Sequence, residues 1–160
     1  GGEEPVLFGN VLPQTLSGKI ELESAVLSAR YGAPLPTFRP LVSSFPLTLI
    51  TPASDRRTTS TFGGLAANDA TPVLEMHPLD AEARGLRDGA WVKVWNDLGE
   101  VHLPLVITNA IRPGVVCSEK GAWFKTSRNG QTVSALAPAH KADLSEGACY
   151  NDARVDVAAL

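Results

Sequence analysis

Residues 90–107 constrain the fold more than any other stretch of the chain. Ala90, Val92 and Val94 share one side of an extended backbone, and Trp91, Lys93 and Trp95 share the other. After Asn96-Asp97-Leu98-Gly99 the alternation resumes, with Val101, Leu103, Leu105 and Ile107 set against Glu100, His102, Pro104 and Val106. A period of two on both sides of a turn predicts an antiparallel hairpin whose apolar face is buried. Gly99 is expected to supply the positive φ of a bulge at the turn. Pro104 brings no N–H, so an edge strand or a bulge is expected there. His102, on the polar face, reads as a solvated side chain.

The rest of the chain offers further short strands to cover that face. Residues 47–50 (Leu-Thr-Leu-Ile), 72–76 (Pro-Val-Leu-Glu-Met), 115–117 (Val-Val-Cys) and 153–157 (Ala-Arg-Val-Asp-Val) are apolar or alternating, and turn residues bound them. Residues 77–85 predict a short helix. Pro78 suits its first position, Asp80 and Glu82 favour its positive end, and Gly85 stands where a left-handed cap belongs. His77 falls at the N-cap and reads as structural. Arg112-Pro113-Gly114 predicts a type II turn, and residues 68–71 and Asn129-Gly130 predict two more. These elements predict an all-β barrel with one or two short helices.

Residues 1–44 read differently. Pro5, Pro13, Pro34, Pro36 and Pro40 interrupt every candidate element, apart from one short strand at 17–24 with Ile20 and Leu22 on a shared face. Residues 34–40 read as an extended connector. The expectation is an irregular arm or linker from an upstream domain over 1–44 and a barrel domain over 45–160. The Gly1-Gly2-Glu3-Glu4-Pro5 opening reads as a cut inside a longer chain.

The chemistry sits in loops at strand ends. Pro52 stops the first strand, and residues 54–60 then bring Arg56, Arg57 and the hydroxyls of Ser54, Thr58, Thr59 and Ser60. Hydroxyls, free backbone N–H groups and an arginine fork are what phosphate oxygens require. The competing reading is a solvated Ser/Thr-rich loop, with Arg56 in water and Arg57 or neither at work. Two further polar loops, near 118–125 and 148–152, are expected to meet the first at one end of the barrel.

Composition excludes several partners. With 14 basic and 17 acidic residues, a net charge of −3 gives no nucleic-acid or polybasic membrane signature. No apolar run approaches the roughly 18 residues of a membrane helix, and no signal-peptide pattern opens the chain. A cytoplasmic location is therefore expected, or a periplasmic one if a parent chain carries a signal peptide. Cys117 and Cys149 lack CxxC spacing, cannot make a zinc site by themselves, and read as free buried thiols. His140, beside Lys141, reads as exposed.

Taken in order, these pieces resemble the C-terminal dinucleotide-binding domain of the molybdopterin oxidoreductase family, which includes formate dehydrogenases, nitrate reductases and dimethyl sulfoxide reductases. The resemblance is carried by the strand and loop 49–62 and by the cassette 76–89, which begins Met76-His77-Pro78-Leu79-Asp80 and ends Arg87-Asp88-Gly89. It continues through the hairpin 92–101, Ile111-Arg112-Pro113-Gly114-Val115-Val116, Lys120-Gly121-Ala122-Trp123 and Tyr150-Asn151-Asp152. Residues 17–22 look like the segment that precedes this domain in full enzymes. The resemblance implies a double-psi β-barrel that binds a molybdopterin guanine dinucleotide through Ser54, Arg56, Thr59, Ser60, Lys120, Trp123, Tyr150 and Asn151. Thr59 stands where many relatives carry Asn or His, and Lys120-Gly121-Ala122-Trp123 where His-Gly-Trp-Trp is frequent. The same resemblance implies that the molybdenum or tungsten ligand belongs to upstream catalytic domains and that an iron–sulfur subunit is a candidate partner. This chain is then a cofactor-holding part, and the redox chemistry belongs to metal and pterin.

Two other classes share the barrel topology. One is a non-enzymatic recognition module such as the N-domain of an AAA ATPase, which needs no convergent polar loops. The other is a self-processing decarboxylase, which needs a Gly-Ser cleavage pair, and no Gly-Ser dipeptide occurs in this sequence.

Overall fold

The computed structural model of the chain describes residues 2–62, 65 and 71–160. The Gly63-Gly64 pair and most of the turn expected at 68–71 lie outside them. The chain forms two compact units, Gly1–Pro40 and Leu41–Leu160.

In the first unit the expected strand at 17–24 is absent, and a helix that the sequence reading missed, α1 (Ala25–Tyr31), stands beyond it. The cause is local. Ser24 accepts a hydrogen bond from the Leu27 N–H, and Gly32, at φ 72°, closes the helix by donating to the Ser28 carbonyl. A seven-residue helix with both ends capped satisfies its own backbone, whereas a lone strand at 17–24 finds no partner edge.

The second unit is a closed barrel of six strands: β1 (Leu47–Ile50), β2 (Leu74–Met76), β3 (Trp91–Asn96), β4 (Gly99–Ile107), β5 (Val115–Cys117) and β6 (Arg154–Ala159), in the order β1-β5-β2-β4-β3-β6. The pairs β1–β5 and β2–β4 are parallel and the others antiparallel. The β1–β2 connection must therefore skip β5, and the β4–β5 connection must skip β2. These two crossings are the double-psi arrangement. Closure leaves no free edge to template aggregation.

Alternation places the core as the hairpin predicted. Val92, Val94, Val101, Leu103 and Leu105 are buried, and they pack with Leu47, Leu49, Leu74, Met76, Val116, Val155 and Val157. Ile107, expected inside with them, is only half-buried at the strand's end. Gly99 also departs from expectation. It has no positive φ and pairs with Asn96 as a strand residue, while the Asn96 side chain turns the chain by accepting from the Leu98 N–H at 2.9 Å. Pro104 lies in a strand with neighbours on both sides, not on an edge strand. It pairs with Trp91 one residue before β2 joins at Leu105, so the missing N–H faces no partner strand. Upstream of that point, Asn129 covers the open side of β4, donating to the Glu100 carbonyl at 3.0 Å and accepting from the His102 N–H at 3.4 Å.

The short helix α2 (Pro78–Glu82) follows β2, with His77 as its N-cap accepting from the Leu79 N–H through Nδ1. Gly85 has φ 63°. Asp80 accepts from the Gly114 N–H at 2.7 Å, and Arg84 pairs with Asp156 at 3.0 Å, tying this end of the barrel together.

Candidate functional site

Strand directions decide which loops meet. β5 runs parallel to β1, and β6 runs antiparallel to it. The segments after Ile50, after Cys117 and before Arg154 therefore leave the same end of the barrel. Backbone hydrogen bonds continue the β1–β5 ladder past its strands: Ser118 N–H donates to the Ile50 carbonyl at 3.1 Å, and Lys120 N–H to that of Pro52 at 3.0 Å. Two depressions open beside this joint.

The first, of about 520 Å³, is lined by Ser54, Asp55, Arg56, Arg57, Glu75, Cys117, Ser118 and Glu119 among others. Its two arginines differ sharply. The Arg56 side chain is 66% exposed, with Asp55 at 3.9 Å. That of Arg57 is 7% exposed, and its guanidinium reaches Glu119 at 3.4 Å. Arg57 is thus the arginine held in place, a role the sequence could not assign between two neighbours. Ser118, unremarked in the sequence, is 2% exposed, and its Oγ is buried without a hydrogen-bond partner among the described residues. A buried hydroxyl with no partner loses about 1–3 kcal/mol unless something fills that role. Cys117 lies on the same wall, where burial first and then the Glu75 carboxylate push its thiol up to about 11.

The second depression, of about 590 Å³, has no carboxylate among the described residues that line it. Thr59, Ser60, Lys120, Gly121, Trp123, Lys125, Thr132 and Ser134 line it. Trp123 Nε1 donates to the Ser60 carbonyl at 2.6 Å, and Lys125 Nζ stands 4.3 Å above the Trp123 ring. Gly121, at φ 95°, lies so close to Thr59 that any Cβ would be driven into the Thr59 carbonyl. Thr59 itself has φ 54°, costly for a β-branched residue and a mark of a loop held by its surroundings. The two loops therefore form one fixed wall between the depressions.

Of the residues singled out in the sequence, Ser54 and Arg56 line the first depression, and Thr59, Ser60, Lys120 and Trp123 line the second. Tyr150 and Asn151 line neither. Both are exposed in a short 3-10 turn, Tyr150–Asp152, at the same barrel end. One reading near this turn is corrected and another is extended. Cys149 is only half-buried, and partial burial with the carboxylates of Asp152 and Asp143 raises its thiol's pKa. His140 is exposed but not isolated, since its Nε2 lies 2.8 Å from Asp152 Oδ2. His102, read as solvated, has its side chain 18% exposed and its Nε2 2.9 Å from Glu100. Lys125, Glu119, Thr132 and Ser134 join the candidate residues on position alone.

Among the described residues no helix is long and apolar enough to cross a membrane. The protein's fold is shared with the acetylene hydratase from Pelobacter acetylenicus, at a TM-score of 0.73 and 21% identity over 91% of this chain and 24% of that one. In sequence the chain is 35% identical over 159 residues to the "Probable oxidoreductase YoaE" of Bacillus subtilis, covering 96% of this chain and 23% of that protein. It is 32% identical over 157 residues to the dimethyl sulfoxide reductase DmsA of Escherichia coli, covering 83% of this chain and 19% of the relative. The chain thus spans about a fifth to a quarter of the length of these relatives. Residues 47–154, from the start of β1 to the start of β6, match the family described as Molydopterin dinucleotide binding domain, and the chain belongs to that family.

Proposed function

We propose that this chain is the cofactor-holding part of a molybdopterin oxidoreductase and that the dinucleotide it binds is the guanine form. The observation that carries this reading is the division of chemistry across one wall. On one side Lys120 and Lys125 stand among hydroxyls, with no carboxylate among the described lining residues, a setting for the diphosphate. On the other, Asp55, Glu75 and Glu119 offer acceptors, and the Ser118 hydroxyl is a buried polar group awaiting a partner. Carboxylates repel phosphate, but they accept from the N–H and NH₂ groups of a 2-amino-4-oxopyrimidine edge. Guanine and the pterin both carry that edge. The residues therefore fit a molybdopterin guanine dinucleotide, with Arg57 and Ser118 joining Ser54 on the base side and Thr59 and Ser60 on the phosphate side.

When bound, the group supplies the metal-centred redox chemistry, and this chain's residues orient it. Trp123 and Gly121 hold the wall against which it lies. The substrate and the iron–sulfur partner belong to the parts of such an enzyme that lie outside these residues, as the relatives' greater length implies.

Titration calorimetry of the chain with GDP and IDP tests the assignment, because inosine lacks only the 2-amino group. GDP is expected to bind more tightly, by about tenfold for one charge-assisted hydrogen bond. Lys120→Ala should weaken both nucleotides alike, and Glu119→Gln should reduce only the preference for GDP. Equal affinity for the two nucleotides in the native chain overturns the base-side assignment. An unchanged affinity in Lys120→Ala overturns the phosphate-side one.

A further inference from the structure

The strongest unassigned cluster lies outside both depressions, where His140, Cys149 and Asp152 bring one imidazole nitrogen, one thiol sulfur and one carboxylate oxygen within 4.8 Å of one another. We propose that these three residues bind a zinc ion.

Backbone register builds the site. Lys141 and Ala148 form an antiparallel bridge, so the next rung outward sets His140 opposite Cys149. The intervening loop is closed on itself, with Ala142 N–H donating to the Gly147 carbonyl at 2.8 Å and Glu146 N–H to that of Ala142 at 3.0 Å. The third group arrives from the 3-10 turn. Asp152 N–H donates to the Cys149 carbonyl at 3.0 Å, which carries the aspartate side chain back over the cysteine. Two residues paired across a ribbon and one three positions further on thus converge from different directions. They stand on backbone hydrogen bonds, as metal ligands in small knuckles do.

The geometry is close to closing. Bonds of about 2.0–2.3 Å to a tetrahedral ion separate its ligand atoms by roughly 3.3–3.8 Å. His140 Nε2 and Asp152 Oδ2, at 2.8 Å, stand closer than that and would part slightly, while the sulfur would move inward by at most about 1.5 Å. All three side chains are exposed or half-buried, so rotation of their own torsions can absorb such shifts. The ligand set favours zinc, since magnesium and calcium seek oxygen, whereas a thiolate, an imidazole and one carboxylate suit a borderline ion. Three protein ligands at a half-exposed site leave a fourth position for water. On binding, Cys149 gives up its thiol proton to solvent and His140 ligates through an unprotonated ring nitrogen, so the ion replaces a hydrogen bond with bonds that pin the 141–148 loop to the start of β6.

Cobalt(II) serves as the probe, because a thiolate ligand gives a charge-transfer band and a tetrahedral field gives intense visible bands. The chain is expected to take up one cobalt with both features, and zinc should displace it. Cys149→Ser should abolish the charge-transfer band, His140→Ala and Asp152→Asn should each weaken binding at least tenfold, and Cys117→Ser should change neither. Zinc should also slow alkylation of Cys149 while leaving Cys117 as it was. The proposal fails if no band develops, if the band survives Cys149→Ser, or if all three variants bind as the native chain does. Circular dichroism of each variant separates a lost site from a lost fold.

Discussion

In the barrel unit Leu49, Leu74, Met76 and Leu105 have no solvent exposure, while in the first unit Leu7, Leu16, Leu22 and Phe38 are all more than 70% exposed. The two regions draw on the same residue types. None of the described residues among 2–40 is buried, and α1 buries nothing. What separates them is the pairing of sequence-distant segments. Barrel strands of three or four residues, such as β2 and β5, are far too short to persist alone, yet each is held by two neighbours and a shared core. In residues 2–40 the regular structure is confined to what a segment can satisfy by itself. Apolar content therefore does not decide order in this chain. Access to a second and third strand does.

The largest expected effect follows directly. Leu74→Ala should destabilise the barrel by about 2–5 kcal/mol in urea or guanidinium titrations, because it empties a core site between two strands. Leu22→Ala, at 79% exposure, should stay within about 0.5 kcal/mol. A comparable loss from both substitutions would erase the contrast between the regions.

A second effect sharpens the contrast inside the barrel. The native Cys117 thiol ionises near 11, against about 9 for the ordinary thiol, so between those values the unfolded state loses its proton while the native state keeps it. Stability must then fall as pH rises through that window, by roughly 2–3 kcal/mol in total, and is fully retained below pH 9. Cys117→Ala should remove this part of the slope, which is read as the difference between two denaturation series at pH 8 to 11. An identical slope in native and variant proteins would show that the thiol does not feel its burial. Below pH 9, Cys117 should also resist alkylating agents that reach half-buried Cys149.

The sequence revealed most where side-chain period and backbone pairing agree. The 90–107 hairpin announced its strands, the place of its turn and all of its inward face but Ile107, because each residue's environment depends on neighbours two positions away. Residues 17–24 carry a similar alternation and form no strand, because alternation marks a face and cannot supply a partner. Pro104 misled for a related reason, since whether a missing N–H matters depends on where β2 begins to pair, which lies some thirty residues away in the chain. The candidate site was legible as loops and not as individual side chains. Arg56 and Arg57 are adjacent and chemically identical, and only the fold buries the second against Glu119. Ser118 looked like any serine until the β1–β5 ladder enclosed it. His140 and Cys149 became neighbours only through the rung at Lys141 and Ala148.

The smallest expected effect belongs to the one element of the first unit that does form. α1 has seven residues, too few for an isolated helix to be stable in water by propagation alone, so its ends carry much of its stability. At one end the Ser24 hydroxyl accepts from the Leu27 N–H at 3.2 Å, and at the other Gly32 occupies the left-handed region, where nothing crowds an added Cβ but the φ of 72° disfavours one. Ser24→Ala removes an N-cap acceptor, typically worth about 1 kcal/mol, and Gly32→Ala strains the C-cap by a similar amount. Each should speed amide exchange at Leu27, Ser28 and Gly32, and the double variant should melt the helix further than either alone. If exchange is unchanged in both single variants, α1 is held by packing and not by its caps. The first unit would then resemble the barrel in the very respect that distinguishes them.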